Sequence, residues 1–109
     1  TCIILVRLLR IPFLPTEYTT MFTWNEDKAA NNFTKHGITF EEAATAFNDP
    51  YFIDFYDPDH SEDEDRFIII GMSNLQRLLI VSYTERLNSI RLISARETTR
   101  QERKTYEEY

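Results

Sequence analysis

Three strand-like runs follow one another late in this 109-residue chain with only turn-sized gaps between them: Arg66–Met72, Leu78–Glu85 and Ser89–Ala95. They are rich in Ile, Leu, Val and Tyr, which suit a pleated, half-buried surface. Parallel pairing would need a crossover of roughly a dozen residues or more, so gaps this short impose hairpins and a largely antiparallel sheet. Ser73-Asn74 and Asn88-Ser89 supply the turn chemistry. Leu78-Leu79-Ile80-Val81 is apolar at consecutive positions and therefore on both faces. Such a strand calls for cover on both sides.

The cover comes from elements before and after the hairpins. Phe22-Thr23-Trp24 reads as a short strand. Asn25 then opens a helix, with Glu26 and Asp27 in its first turn, running to about His36. Gly37 suits the left-handed position that ends a helix. Thr39 and Glu42 have capping-box spacing for a second helix, and Phe40, Ala43, Ala44 and Phe47 form its apolar stripe. Asn48-Asp49-Pro50 stops it, and Tyr51 to Tyr56 reads as a further strand. Thr99 and Glu102 open a last helix through about Tyr106. The order β-α-α-β-β-β-β-α predicts an α+β fold: a mostly antiparallel sheet of four to five strands, two N-terminal helices and one C-terminal helix. Two short helices can cover one face, but the last helix alone leaves part of the other as a cleft or a docking surface. Gly71, inside a strand, marks a bulge or a close backbone approach.

Residues 1–20 differ in character from the rest of the chain, because Arg7 and Arg10 interrupt their apolar positions. A secretory signal would place positive charge before a longer apolar stretch. The segment reads as an N-terminal extension of upstream translated sequence or an expression remnant, with an added edge strand or a partner-binding arm as alternatives. The domain proper then spans residues 21–109. Cys2 is the only cysteine, so no intrachain disulfide framework exists. No apolar run is long enough to span a bilayer, and no Cys/His cluster has zinc spacing.

The formal net charge is −6, which argues against binding polyanions through bulk charge. The acid is concentrated, however. Asp57, Asp59, Glu62, Asp63, Glu64 and Asp65 crowd one loop, and the chain without them is formally neutral. A local basic face is therefore compatible with the composition. The loop, which includes His60, lacks the mid-loop Gly and closing Glu of a calcium-binding hand and reads as solvated.

Candidate chemistry lies in three places. Lys28, Asn32, Lys35 and His36 neighbour one another on the first helix. They form either a phosphate-facing edge with His36 as a proton-transfer group or a plain solvated face. Arg66, Arg86, Arg91 and Arg96 sit on strands or strand ends, where a guanidinium fork can grip a phosphate. The alternative is pairing with Glu85, Glu97 or the acidic loop. Arg100, Arg103 and Lys104 give the last helix a basic side next to Tyr106, suited to RNA backbone contact and stacking, or else to ordinary amphipathic packing.

Together these pieces resemble the BrnT family of type II toxins. The resemblance rests on Trp24-Asn25-Glu26-x-Lys28-Ala29 and on Asn32-x-x-Lys35-His36-Gly37-Ile38-x-Phe40-Glu41-Glu42-Ala43. It continues with Arg66 and Ile70-Gly71, Tyr83-Thr84-Glu85-Arg86, Ile90-Arg91-x-Ile93-Ser94-Ala95-Arg96, and Arg103-x-x-Tyr106. It covers about Met21 to Glu108. Asn25 stands where Asp is more usual.

The resemblance implies a RelE-like fold and a cytoplasmic, metal-independent endoribonuclease that needs no cofactor and inhibits translation. It implies an RNA substrate and a BrnA-like ribbon-helix-helix antitoxin, with DNA met only through that antitoxin and no membrane. Arg66 and Arg96 are the expected phosphate grips, with Arg86 or Arg91 assisting. Lys35 and His36 are expected to transfer protons or position substrate, and Glu85 is a weaker base. Lys28, Asn32, Arg100, Arg103 and Tyr106 are the expected RNA-binding set. Two other readings use the same residues. One is a non-catalytic module of this fold that holds its antitoxin and tunes operon repression. The other, resting on the acidic loop alone, is a DNA-mimicking inhibitor.

Overall fold

A computed structural model describes residues 21–109; the expected extension over residues 1–20 lies outside the described residues. Strand β1 (Met21–Thr23) leads into helix α1 (Glu26–His36). The Asn25 Oδ1 accepts from the Lys28 N–H at 3.0 Å and opens α1. Gly37 closes it at φ 72°, donating its N–H to Phe33 O at 2.8 Å. Only glycine takes that left-handed position without a Cβ penalty.

Helix α2 (Phe40–Thr45) runs on into a 3₁₀ turn over Ala46–Asn48. Thr39 Oγ1 accepts from the Glu42 N–H at 3.0 Å. The expected capping box is only half made. The Glu42 carboxylate turns away to Arg77 and Ser73, accepting from Arg77 Nε at 2.9 Å and Ser73 Oγ at 2.7 Å. Glu42 is buried, so an arginine fork is worth more to it than one exposed backbone N–H.

Strand β2 (Ile53–Tyr56) starts two residues later than the sequence reading places it, and a 3₁₀ turn over Pro58–His60 follows. Then come β3 (Arg66–Met72), β4 (Leu78–Arg86), β5 (Ser89–Glu97) and helix α3 (Arg100–Glu108). The sheet order is β1-β5-β4-β3-β2. Every neighbouring pair is antiparallel except β1 with β5. The α+β expectation holds, with five strands. At α3 the capping box is complete, since the Thr99 and Glu102 side chains each accept from the other's backbone.

The two sheet faces are covered unequally. Ile38, Phe40, Ala43 and Phe47 from the α1–α2 side bury Ile69, Leu79, Val81, Tyr83, Leu92 and Ala95. On the other face Ile53, Ile70 and Leu78 pack with Met72, Ile80 and Tyr106 beneath α3. Among the described residues α3 covers only this end of that face. Gly71 marks a close approach rather than a bulge, because a Cβ there would stand 2.5 Å from the Ala46 carbonyl oxygen. The bulge lies in β5 instead. Ser82 opposes Ser94 and Tyr83 opposes Leu92, which leaves Ile93 without an opposite residue. Among the described residues no helix is long and apolar enough to cross a membrane.

Candidate active site

Strand alternation sorts the arginines. On β3 and β4 the odd positions Phe67, Ile69, Leu79, Val81 and Tyr83 face the helices, so the even positions face the partly covered side. The register lines up Arg66 with Thr84 and Thr84 with Arg91, then Ile68 with Ser82 and Ser82 with Ser94, then Ile80 with Arg96. Arg66, Arg91 and Arg96 thus share one face although they belong to strands on either side of β4.

A cavity of about 400 Å³ opens on this face. Ile68, Ile80 and Ser82 form its floor, while Ile93 and Ser94 flank it on β5. The β5 bulge at Ile93 lies on this cavity wall, and bulges often re-aim side chains. Ala95, Arg66, Arg96, His36, Asp57 and His60 complete the lining.

His36 reaches the cavity because Asn32 holds α1 against the edge of β5. The parallel strand β1 pairs only as far as Arg91, and among the described residues the later part of β5 has no strand partner on that side. Asn32 takes the strand's place. Its Nδ2 donates to Ala95 O at 2.8 Å and its Oδ1 accepts from the Ala95 N–H at 3.0 Å. Nδ2 also donates to Ile38 O at 3.0 Å. Asn32 is buried, so the expectation that it contacts RNA is corrected: it is a backbone clamp. One turn further along α1, His36 meets the cavity rim.

The cations differ in their partners. Arg96 donates from Nη1 and Nη2 to the two Glu102 carboxylate oxygens at 2.8 and 2.9 Å. That bond is the main cause holding the Arg96 guanidinium above its ordinary value and the Glu102 carboxyl below its own. Among the described residues Arg66 has no carboxylate within ion-pairing distance. Its backbone anchors the acidic loop, with the Arg66 N–H donating to Ser61 Oγ at 2.9 Å and Arg66 O accepting from the Asp57 N–H at 2.9 Å. Among the described residues no group of three or more His, Cys, Asp or Glu side chains is arranged to hold a metal ion.

The family model for the ribonuclease toxin BrnT of type II toxin–antitoxin systems matches residues 24–102. The chain belongs to the BrnT family. The ribonuclease toxin BrnT of Brucella abortus, known from a crystal structure, is similar in fold, with a TM-score of 0.55 and 22% identity. The match covers 75% of this chain and 100% of that one. No curated protein sequence matches the chain.

The BrnT signature Lys35-His36-Gly37-Ile38-x-Phe40-Glu41-Glu42-Ala43 divides cleanly in three dimensions. Gly37 caps α1; Ile38, Phe40 and Ala43 are in the core; Glu42 is buried against Arg77. Lys35, His36 and Glu41 remain exposed. Of these, His36 lines the cavity.

Several expected BrnT site residues lie elsewhere. Arg86 is at the far end of β4 and pairs with Glu64 at 3.1 Å. Glu85 pairs in register with the buried Ile90, which puts it on the helix-covered face, away from Arg66. Arg91 shares the Arg66 row without lining the cavity. Tyr106 donates its hydroxyl to Asp49 Oδ2, which also accepts from the Met72 N–H at 2.8 Å. Burial, reinforced by that carboxylate, pushes the Tyr106 phenol well above its ordinary range. Tyr106 therefore docks α3 on the sheet. Lys28, Arg100 and Arg103 are exposed, and Arg103 lies 3.9 Å from Glu107. Sequence reading treats His60 as part of a solvated loop, yet it lines the cavity.

Proposed function

We propose that this chain is a metal-independent endoribonuclease that cuts RNA on the partly covered sheet face and thereby arrests translation in the cytoplasm. One observation carries the reading: Arg66 from β3, Arg96 from β5 and His36 from α1 converge on one cavity despite the acidic composition. An RNA phosphate would be held there between two guanidinium groups. The 2′-hydroxyl loses a proton and its oxygen attacks the adjacent phosphorus. The two arginines stabilise the charge growing on the non-bridging oxygens, and the departing 5′-oxygen gains a proton. Arg91 extends the basic row toward the next phosphate, and His36, with Lys35 beside it, serves proton transfer or substrate positioning. Proton transfers of this kind each supply about 10²–10⁴-fold.

The neutralising partner in this reading is a BrnA-like ribbon-helix-helix antitoxin, which carries DNA binding for the pair. The incomplete cover beside α3 among the described residues supports a protein partner on this face. Cleavage of RNA in the presence of chelator by wild type, Arg66→Ala and Arg96→Ala tests the reading. Wild type is expected to cut and both variants to lose about 10²–10³-fold. Undiminished cutting by both variants would remove the assignment.

A second reading, a non-catalytic antitoxin-binding module, draws on the engagement of Arg96 by Glu102. Expression without the antitoxin separates the two, because only the nuclease produces growth arrest with loss of transcripts.

A further inference from the structure

We infer that His60, oriented by Asp57, is the general base of the cavity, facing His36 across the sheet. The inference rests on the ribonuclease reading above and deepens it. His60 Nδ1 lies 2.9 Å from Asp57 Oδ2. A carboxylate oxygen only accepts, so the imidazole proton belongs on Nδ1 and the free lone pair on Nε2. This is the orientation logic by which a carboxylate holds a catalytic imidazole in its basic tautomer.

The ledge carrying His60 is held by other bonds. Ser61 Oγ donates to Asp57 O at 2.6 Å and accepts from the Arg66 N–H at 2.9 Å, while the Asp57 N–H donates to Arg66 O at 2.9 Å. These three bonds clamp the turn Pro58–His60 to the first residue of β3. The Asp57–His60 contact itself is partly exposed, with 65% of the His60 side chain accessible, and pairs of that kind contribute only about 0–1 kcal/mol to stability. The loop does not need that contact to hold its shape. The contact does select a tautomer, beside an arginine that has no carboxylate partner among the described residues.

The topology separates the two histidines. His36 stands beyond the β5 edge, where Asn32 holds α1, and His60 stands at the start of β3. The floor of β4 lies between them, with Ser82 at its centre. A phosphate gripped by Arg66 and Arg96 would have one imidazole on each side. In-line displacement requires that arrangement, because the attacking and leaving oxygens lie on opposite sides of phosphorus. His60 Nε2 takes the 2′-hydroxyl proton as the 2′-oxygen bonds to phosphorus. The bond from phosphorus to the 5′-oxygen breaks, and that oxygen takes a proton from His36. The products are a 2′,3′-cyclic phosphate and a 5′-hydroxyl, with His60 protonated and His36 deprotonated.

The test is single-turnover cleavage, in chelator, of an RNA oligonucleotide carrying a site that wild type cuts in total RNA. His60→Ala is expected to fold as wild type, because His60 is exposed, and to cut about 10²–10⁴-fold more slowly. Added imidazole should restore part of the rate. Asp57→Asn should lower kcat with KM unchanged, as befits a positioning residue. A substrate with sulfur in place of the leaving 5′-oxygen needs no acid. On it His60→Ala should stay slow while His36→Ala regains most of its rate. Full activity of His60→Ala, alongside an inactive Arg66→Ala, would overturn this inference and leave the ribonuclease reading standing. A His60→Ala defect that vanishes on the sulfur substrate would overturn the base assignment. Absence of cutting of total RNA by wild type would end both.

Discussion

Arg96 and Glu102 meet through two parallel hydrogen bonds of 2.8 and 2.9 Å, one residue on the cavity wall and the other in the first turn of α3. The same carboxylate accepts the Thr99 N–H at 2.8 Å and closes the α3 capping box. One side chain therefore orients a cavity arginine, partly neutralises it, and starts the helix that covers the neighbouring part of the sheet. Arginine is the residue that can share such a carboxylate and still turn donors toward a phosphate.

Glutamine keeps the capping-box hydrogen bonds and removes the charge. Glu102→Gln is accordingly expected to leave α3 in place and to raise RNA affinity severalfold, with a steeper fall in binding as salt increases. Arg96→Lys retains charge but loses the fork, and is expected to weaken cleavage by about 10²-fold or more. Filter binding at two salt concentrations and single-turnover kinetics measure these effects. Affinity in Glu102→Gln equal to or below wild type would mean that Arg96 does not face the RNA.

Asn32→Ala leaves the Ala95 N–H, Ala95 O and Ile38 O without the partner they share. Each unsatisfied buried polar group costs about 1–3 kcal/mol. The variant is expected to lose at least that much in a urea titration. Asn32→Asp should lose more, since a carboxylate cannot donate to Ala95 O and Ile38 O and faces both carbonyls with like charge. Equal stability of Asn32→Ala and wild type would exclude the clamp.

Gly71→Ala is expected to destabilise the fold. Its Cβ would meet the backbone oxygen of Ala46 at 2.5 Å, which no side-chain rotation relieves. Overpacking of this kind costs about 1–3 kcal/mol. Thermal unfolding provides the measure, with Gly37→Ala as a second variant whose cost comes from φ 72° instead of from contact.

Stability should depend on acid through two carboxyls. The Arg77 hydrogen bond holds Glu42 below its ordinary value of 4.5, and the Arg96 bond does the same for Glu102. A carboxyl lowered in the folded state stabilises it fully above the unfolded value. That contribution is lost as pH falls through the folded value. The urea midpoint is therefore expected to be flat above about pH 5 and to fall below it. Replacing both residues with Gln should flatten the decline, and an unchanged acid slope in that variant would assign the loss to other groups.

Much of the fold was legible because its signals are local. Asn25, Gly37, Thr39 and Thr99 perform the capping their sequence neighbours predict. Gaps too short for a crossover made β3, β4 and β5 hairpins, and the consecutive apolar residues Leu78 to Val81 called for cover on both faces. The likeness to BrnT was legible too, since its signature is a run of residues close in sequence. The placement of the candidate site was not. Asn32 is 63 residues from Ala95, and a polar residue on a polar-looking helix carries no mark that a bare strand edge awaits it.

His60 looked like solvent-exposed loop because the bonds tying its turn to Arg66 involve a backbone and a serine of the kind common to loops. Glu85 looked available because alternation on β4 becomes a face only once the helices have chosen a side. By itself, the sequence determined the elements, their caps, the hairpin pairing and the family, all of which depend on residues near one another along the chain. Only the tertiary structure decided which cations share a cavity, which are bound by carboxylates, and that a parallel β1 stops short on β5 and leaves an edge for Asn32. Those outcomes depend on which distant groups compete for the same hydrogen-bond partners, and that competition exists only after the chain has folded.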